Sequence, residues 1–246
     1  MSGHSKWHNI KRQKAKTDAA KSNATSKALR DVMLAARHGG GNPEGNFRLK
    51  IAIERAREAN VTLDSINRAI KRGTGAGEGG NLEELTYEAC GPGGTAILVQ
   101  AATDNRNRTA SEIRFILSKH GGKLADLGAV SWMFEQKGLI VLDKEGLAED
   151  DALAMAIDAG ADDMKTEEDS YELYTAPEEL EAVRGKMDVA GAKVLSAELT
   201  MLPKTSVTLE GEEAEKMLRL VDALDEHDDV SMVYSNVDIP AEIVSE

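Results

Sequence analysis

Gly73-Thr74-Gly75-Ala76-Gly77-Glu78-Gly79-Gly80 divides this chain. Glycine recurs at nearly every second position, and no large apolar side chain interrupts the run. Such a segment reads as a flexible joint between folded parts. Its last residues, Gly75 to Gly80, also match G-x-G-x-x-G. That fingerprint holds a dinucleotide only where it leaves a strand and opens a helix. Here a helical pattern precedes it and a strand pattern follows, so the run is read as a joint.

Upstream of the joint the pattern is helical. Ala20, Ala24, Ala28, Val32 and Ala35 recur at helical spacing between Asp18 and His38. Gly39-Gly40-Gly41 stops that helix and Asn42-Pro43 prevents its continuation. A second helix is predicted from about Glu44 to Ala59, with Phe47, Ile51 and Ala52 or Ala56 inward and Arg48, Arg55 and Arg57 exposed. Thr62 reads as an N-cap with Asp64 in the positive first turn, and Ile66, Ala69 and Ile70 face inward up to Arg72. Three short helices can share one small core.

Downstream, strands and helices alternate. Leu85 to Cys90 and Thr95 to Ala102 are strand-like, joined by Gly91-Pro92-Gly93-Gly94. Arg106 to His120 reads as a helix closed by Gly121-Gly122. Val130 to Glu135 and Leu139 to Asp143 are predicted to form a hairpin across Lys137-Gly138. Further helices are expected from Glu149 to Asp158, from Pro177 onward and from Glu212 to Glu226. Further strands are expected at Tyr171 to Thr175, Ala197 to Leu202, Ser206 to Leu209 and Val230 to Val237. The class is α+β: an N-terminal three-helix domain, then material for two small split-βαβ units.

The joint also divides the charge. The net charge is -13. Residues 1–72 hold 16 Lys and Arg against 6 Asp and Glu, a net of +10; the remaining 174 residues hold 14 against 37, a net of -23. A basic front on an acidic body suggests a polyanion-binding module. Aromatic residues make up only 4% of the chain, so its cores must be aliphatic. No apolar run approaches the roughly 20 residues that a membrane span needs. Cys90 is the single cysteine, which excludes an intrachain disulfide. No membrane association is expected, and a reducing cytoplasm is the expected address.

The first candidate site is the basic arm. Lys6, Lys11, Arg12, Lys14, Lys16 and Lys21 lie close together with Trp7 and His8 among them, and no acid precedes Asp18. Lysines and arginines neutralise phosphates and release counterions, and Trp7 can stack on an exposed base. The bland alternative is a solvated helix face. The second candidate is Asp104-Asn105-Arg106-Asn107-Arg108-Thr109, which follows a strand and opens a helix. Backbone N–H groups there, with Arg106 and Arg108, can receive a phosphate; Asp104 or Asn105 can equally be a plain N-cap. Gly91, Gly93 and Gly94 are expected close to the same ligand, although a tight turn explains them as well.

Enzymatic readings are weak. His4 and His8 lack a third ligand at metal spacing, and no G-x-S-x-G nucleophile motif occurs. Glu149-Asp150-Asp151 and Asp225-Glu226-His227-Asp228-Asp229 read as solvated acidic faces. No metal and no cofactor are expected.

Gly3-His4-Ser5-Lys6-Trp7, Gly39-Gly40-Gly41-Asn42-Pro43, Asn67-Arg68-Ala69-Ile70, Tyr87-Glu88 and Gly91 to Ala96 resemble the YebC family, as do Asp104 to Thr109 and Gly121-Gly122. That family includes a mitochondrial translational activator of cytochrome oxidase. The resemblance implies three domains, the third inserted in the second: 1–80 helical and basic, 81–130 with 204–246 in the middle, and 131–203 inserted. It also implies a non-enzymatic regulator of gene expression. Some members are described as DNA-binding transcriptional regulators that would sit on promoter DNA. Others act as translation factors that ease stalled peptide synthesis, which would place ribosomal RNA or tRNA on the basic arm. A protein-interaction scaffold is the reading from a different class. The oligomeric state is open.

Overall fold

The structure is a computed structural model, which describes residues 18–75 and 82–239, with side chains from residue 24 onward. Helix α1 (Asp18–Gly39), α2 (Phe47–Glu58) and α3 (Leu63–Gly73) form the front. The starts of α2 and α3 have a chemical cause. Asn46 Oδ1 accepts from the Leu49 N–H to cap α2, and Thr62 Oγ1 accepts from the Ser65 N–H to cap α3. Asn46 is itself buried, and its Nδ2 donates to the carbonyls of Ala35 and Gly40, tying α2 to the end of α1. The three helices meet over Val32, Ala35, Ala36, Leu49, Ala56 and Ile66, all buried.

Gly73 belongs to this packing rather than to the joint. A Cβ there would stand 2.3 Å from the Met33 carbonyl oxygen and 2.9 Å from Ala36 Cβ. Only glycine lets α3 approach α1 so closely.

Beyond the joint, β1 (Glu83–Cys90) and β2 (Ala96–Thr103) form an antiparallel hairpin, in register from Glu83↔Thr103 to Cys90↔Ala96. Helix α4 (Arg106–Lys119) leads to β3 (Lys123–Leu124), which pairs with β1. Two compact units follow from this arrangement. One comprises residues 1–133 and 203–246, and the other, Phe134–Leu202, is inserted within it.

The inserted unit runs β4 (Phe134–Asp143), α5 (Glu149–Ala159), β5 (Asp163–Thr166), β6 (Ser170–Thr175), α6 (Leu180–Val189) and β7 (Val194–Pro203). Its sheet order is β5-β6-β4-β7. This is the β-α-β-β-α-β arrangement of a split βαβ unit. The expected hairpin across Lys137-Gly138 does not form, because β4 runs straight through both residues and pairs with β6 from Gly138↔Thr175 to Asp143↔Ser170. Gly138 is there for space: a Cβ would meet Thr175 Oγ1 at 2.2 Å and Leu180 Cβ at 3.0 Å. A glycine inside a strand often marks such a close approach.

The first unit closes with β8 (Val207–Thr208), α7 (Gly211–Asp225), β9 (Val230–Ser235) and β10 (Val237–Asp238). The expected last strand, Val230 to Val237, is broken at Asn236, where β10 departs to pair in parallel with β8. The main sheet order is β3-β1-β2-β9. Helices α4 and α7 cover one face through Ile113, Leu117, Met217, Leu220 and Leu224 against Ile97, Val99 and Val230. Helix α1 lies near β2 and β9 within the same unit. The molecule is thus α+β, with a helical front and sheet-bearing body. Among the described residues no helix is long and apolar enough to cross a membrane.

Candidate nucleic-acid interface

The arm residues Lys6, Trp7, Lys11, Arg12, Lys14 and Lys16 lie outside the described residues, as do His4 and His8; Lys21 sits on α1, but its side chain lies outside them too. The remaining front cations divide into two groups. One group is taken up by the chain's own acceptors. Lys27 donates to the Asp225 carbonyl, and its Nζ stands 3.9 Å from the Asp225 carboxylate. Arg30 donates to the Asp228 carbonyl and stands 3.2 Å from Asp229 Oδ1. Arg37 donates to the Leu82 carbonyl at 2.6 Å, Arg48 pairs with Glu84, and Arg68 stands 3.0 Å from Asp64. The other group, Lys50, Arg57, Lys71 and Arg72, is exposed. Arg55, expected on the surface, is instead half-buried beside Asp31 and Tyr234. Burial raises the Asp31 carboxyl against the lowering pull of Arg55 and Arg48, and pushes the Tyr234 hydroxyl up to about 12.

The Asp104–Thr109 segment has a defined internal chemistry. Asn105 caps α4, its Oδ1 accepting from the Arg108 N–H at 3.1 Å. Asp229 Oδ2 accepts from Arg108 Nη2 at 2.8 Å and lies 2.7 Å from Thr109 Oγ1 and 3.1 Å from Thr103 Oγ1. Burial alone would raise the Asp229 carboxyl. The Arg108 and Thr109 hydrogen bonds and the Arg108 and Arg30 charges outweigh it, holding the group below the usual carboxylate range. Arg108 also stands 3.1 Å from Asp104. Arg106 is freer: its side chain is 68% exposed, 3.7 Å from Glu83.

The acidic run at 225–229 is therefore no solvated face at its last position. Asp229 is 4% exposed and holds helix α4, helix α1 and β2 together, its own carbonyl accepting from the Ala102 N–H. Glu112, His227 and Asp229 offer donor atoms within 4.8 Å of one another. These donors are already engaged. His227 Nδ1 accepts from the Asp229 N–H, which assigns the ring proton to Nε2, and Nε2 donates to Glu112 at 2.9 Å. The trio is a hydrogen-bonded chain.

Gly91, Gly93 and Gly94 do not join this segment. The β1–β2 register puts them beyond the Cys90↔Ala96 end of the hairpin, while Asp104 and Asn105 follow the Glu83↔Thr103 end. The expected shared ligand is ruled out by that distance along the strands. Gly93, at φ +62°, packs on Leu209, and the segment forms a tight turn.

Composition gave no notice of Glu88. It is 6% exposed, and its carboxylate gathers three backbone N–H groups from one loop: Gly128 at 2.6 Å, Val130 at 2.7 Å and Ser131 at 2.9 Å. Burial pushes this carboxyl up, but the three donors prevail and hold it low. The available signal was a carboxylate inside the strand pattern Tyr87-Glu88-Ala89.

These features define a class: an α+β protein whose helical front is clasped to a sheet by ion pairs, with a split-βαβ unit inserted beyond it. The chain belongs to the TACO1/YebC family. The TACO1/YebC N-terminal domain matches residues 5–76, and the TACO1/YebC second and third domain matches residues 82–237. A relative from Pelotomaculum thermopropionicum, named "Probable transcriptional regulatory protein", is 56% identical over 241 residues, covering 97% of this chain and 99% of its own. One of the same name from Dictyoglomus turgidum is 50% identical over 245 residues, covering 99% and 98%. The crystal structure of a conserved hypothetical protein from Aquifex aeolicus is 44% identical, with a TM-score of 0.86 over 93% of this chain and 95% of that one.

Proposed function

We propose that this chain is a nucleic-acid-binding regulator of gene expression that works in translation, as a ribosome-associated factor easing stalled peptide synthesis, with no covalent chemistry of its own. The observation that carries this reading is the division of charge: +10 over residues 1–72 against -23 over the rest. An acidic body repels polyanions, so contact is concentrated on the front. Lys6, Lys11, Arg12, Lys14 and Lys16 hold ribosomal RNA or tRNA phosphates, Trp7 stacks on a base, and the exposed Lys50, Arg57, Lys71 and Arg72 extend the footprint. Arg106 adds a phosphate contact from the body, and Arg108 orders the helix start beside it. Holding RNA in a productive geometry is itself sufficient to accelerate a reaction.

A second reading takes promoter DNA as the target of the same cations. The name carried by the relatives, transcriptional regulatory protein, favours it. Ribosome co-sedimentation at graded salt, run beside promoter footprinting in the same extract, separates the two. Salt-sensitive co-sedimentation is the expected result. A discrete footprint with no ribosome association would replace translation by transcription.

A further inference from the structure

The loop held by Glu88 presents one of the two large aromatic rings that the body leaves exposed among the described residues, the other being Phe115 on α4. Trp132 is 67% exposed, and Leu127 beside the same loop is 92% exposed. An exposed indole is commonly a mobile one, yet this one is fastened from several sides. Glu88 fixes the backbone at Gly128, Val130 and Ser131. The Trp132 Nε1–H donates to the Ala129 carbonyl at 3.0 Å. Lys204 Nζ donates to the Trp132 carbonyl at 3.1 Å, and the Lys204 N–H donates to the Met133 carbonyl at 2.8 Å. Burying a carboxylate is costly unless its hydrogen bonds compensate. Here that chemistry orders a loop whose ring remains in water.

From this geometry we infer that Trp132 is a preorganised stacking platform for an unpaired nucleobase, with Lys204 as the neighbouring phosphate contact. Three features favour a base over a protein side chain. A Trp at a protein interface ordinarily offers its N–H to the partner as a polar handle. Here that N–H is spent within the loop, so only the flat π face is on offer. A cation sits at the same residue, which is the pairing of aromatic and charge that single-stranded nucleic acid requires. The loop is also fixed in advance, so little ordering entropy is lost when a base arrives. The site stands apart from the arm in sequence. It deepens the nucleic-acid reading and rests on it, adding that the bound strand is unpaired.

The test uses the full chain carrying Trp7→Phe, so that Trp132 is the single emitting indole. A fluorescein-labelled oligoadenylate reports binding by anisotropy, and an unlabelled one is titrated for indole quenching. We expect the oligoadenylate to quench Trp132. We expect Trp132→Leu to weaken single-strand binding by roughly tenfold and Trp132→Phe to restore most of it. Binding to a duplex, whose bases are already stacked, stays unchanged in Trp132→Leu. Lys204→Ala reduces the salt dependence of single-strand binding. If the labelled strand binds but Trp132 is not quenched, and Trp132→Leu binds equally well, the platform is wrong while the nucleic-acid reading stands. If the unsubstituted full chain, with Trp7 in place, binds no strand even at low salt, that reading fails and takes the platform with it. If Trp132→Leu loses ribosomes but keeps its RNA affinity, the ring faces a protein and the inference is overturned.

Discussion

Glu88 and Asp229 show how a single carboxylate organises this protein. Both are buried, and both are held below the usual carboxylate range by donors that the fold directs at them. Glu88→Gln keeps the shape but turns an amide N–H₂ toward backbone N–H donors. It is expected to cost about 2 kcal/mol in urea unfolding and to loosen the 128–131 loop. The pH dependence follows from the direction of the shifts. A carboxyl with a lowered folded value stabilises the protein above its unfolded value, about 4. That stability is lost as pH falls through the folded value. The wild-type chain is therefore expected to lose stability below about pH 4, and Glu88→Gln to flatten that loss. Asp31 runs the other way: its raised value favours the folded state at low pH and opposes it as pH rises. A wild-type acid limb as steep as the variant's would contradict the assignment for Glu88.

Among the elements, glycine decides more than propensity does. In an isolated helix, replacing glycine by alanine gains about 1 kcal/mol. Gly73→Ala is expected to do the opposite, because the new Cβ would lie 2.3 Å from the Met33 carbonyl and force α1 and α3 apart. A loss of about 2 kcal/mol is expected from the overpacking, measured by thermal melting of the full chain. A gain would return Gly73 to the joint, where the sequence alone had placed it. The same physics explains β4. Lys137-Gly138 carries a turn signature, yet Gly138 fits under Thr175 and Leu180 in an unbroken strand. Helix starts were more legible, since Thr62 and Asn105 cap through atoms within three residues.

Across the whole molecule, the front cations fall into two populations with different duties. Lys27 and Arg30 are neutralised by the Asp225–Asp229 turn, whereas Lys50, Arg57, Lys71 and Arg72 face solvent. Replacing the exposed four by Ala is expected to reduce the slope of log affinity for single-stranded RNA against log salt by up to about 3. Replacing Lys27 and Arg30 is expected to leave the slope unchanged and to lower the melting temperature. Equal effects on the slope would mean that the clasp opens to admit phosphate. Composition by itself cannot separate these groups, since each cation contributes the same unit charge wherever the fold places it.

Sequence alone determined the α+β class, most element positions and the basic front. Those depend on local periodicity, local caps and a sum of charges, none of which needs a distant partner. Tertiary structure decided which cations remain available, that Gly91 to Gly94 and Asp104-Asn105 lie at opposite ends of one hairpin, and that Glu88 fastens the loop bearing Trp132. Each of those is a pairing between residues far apart in the chain. Such pairings are set by strand register and helix packing, which no local pattern encodes.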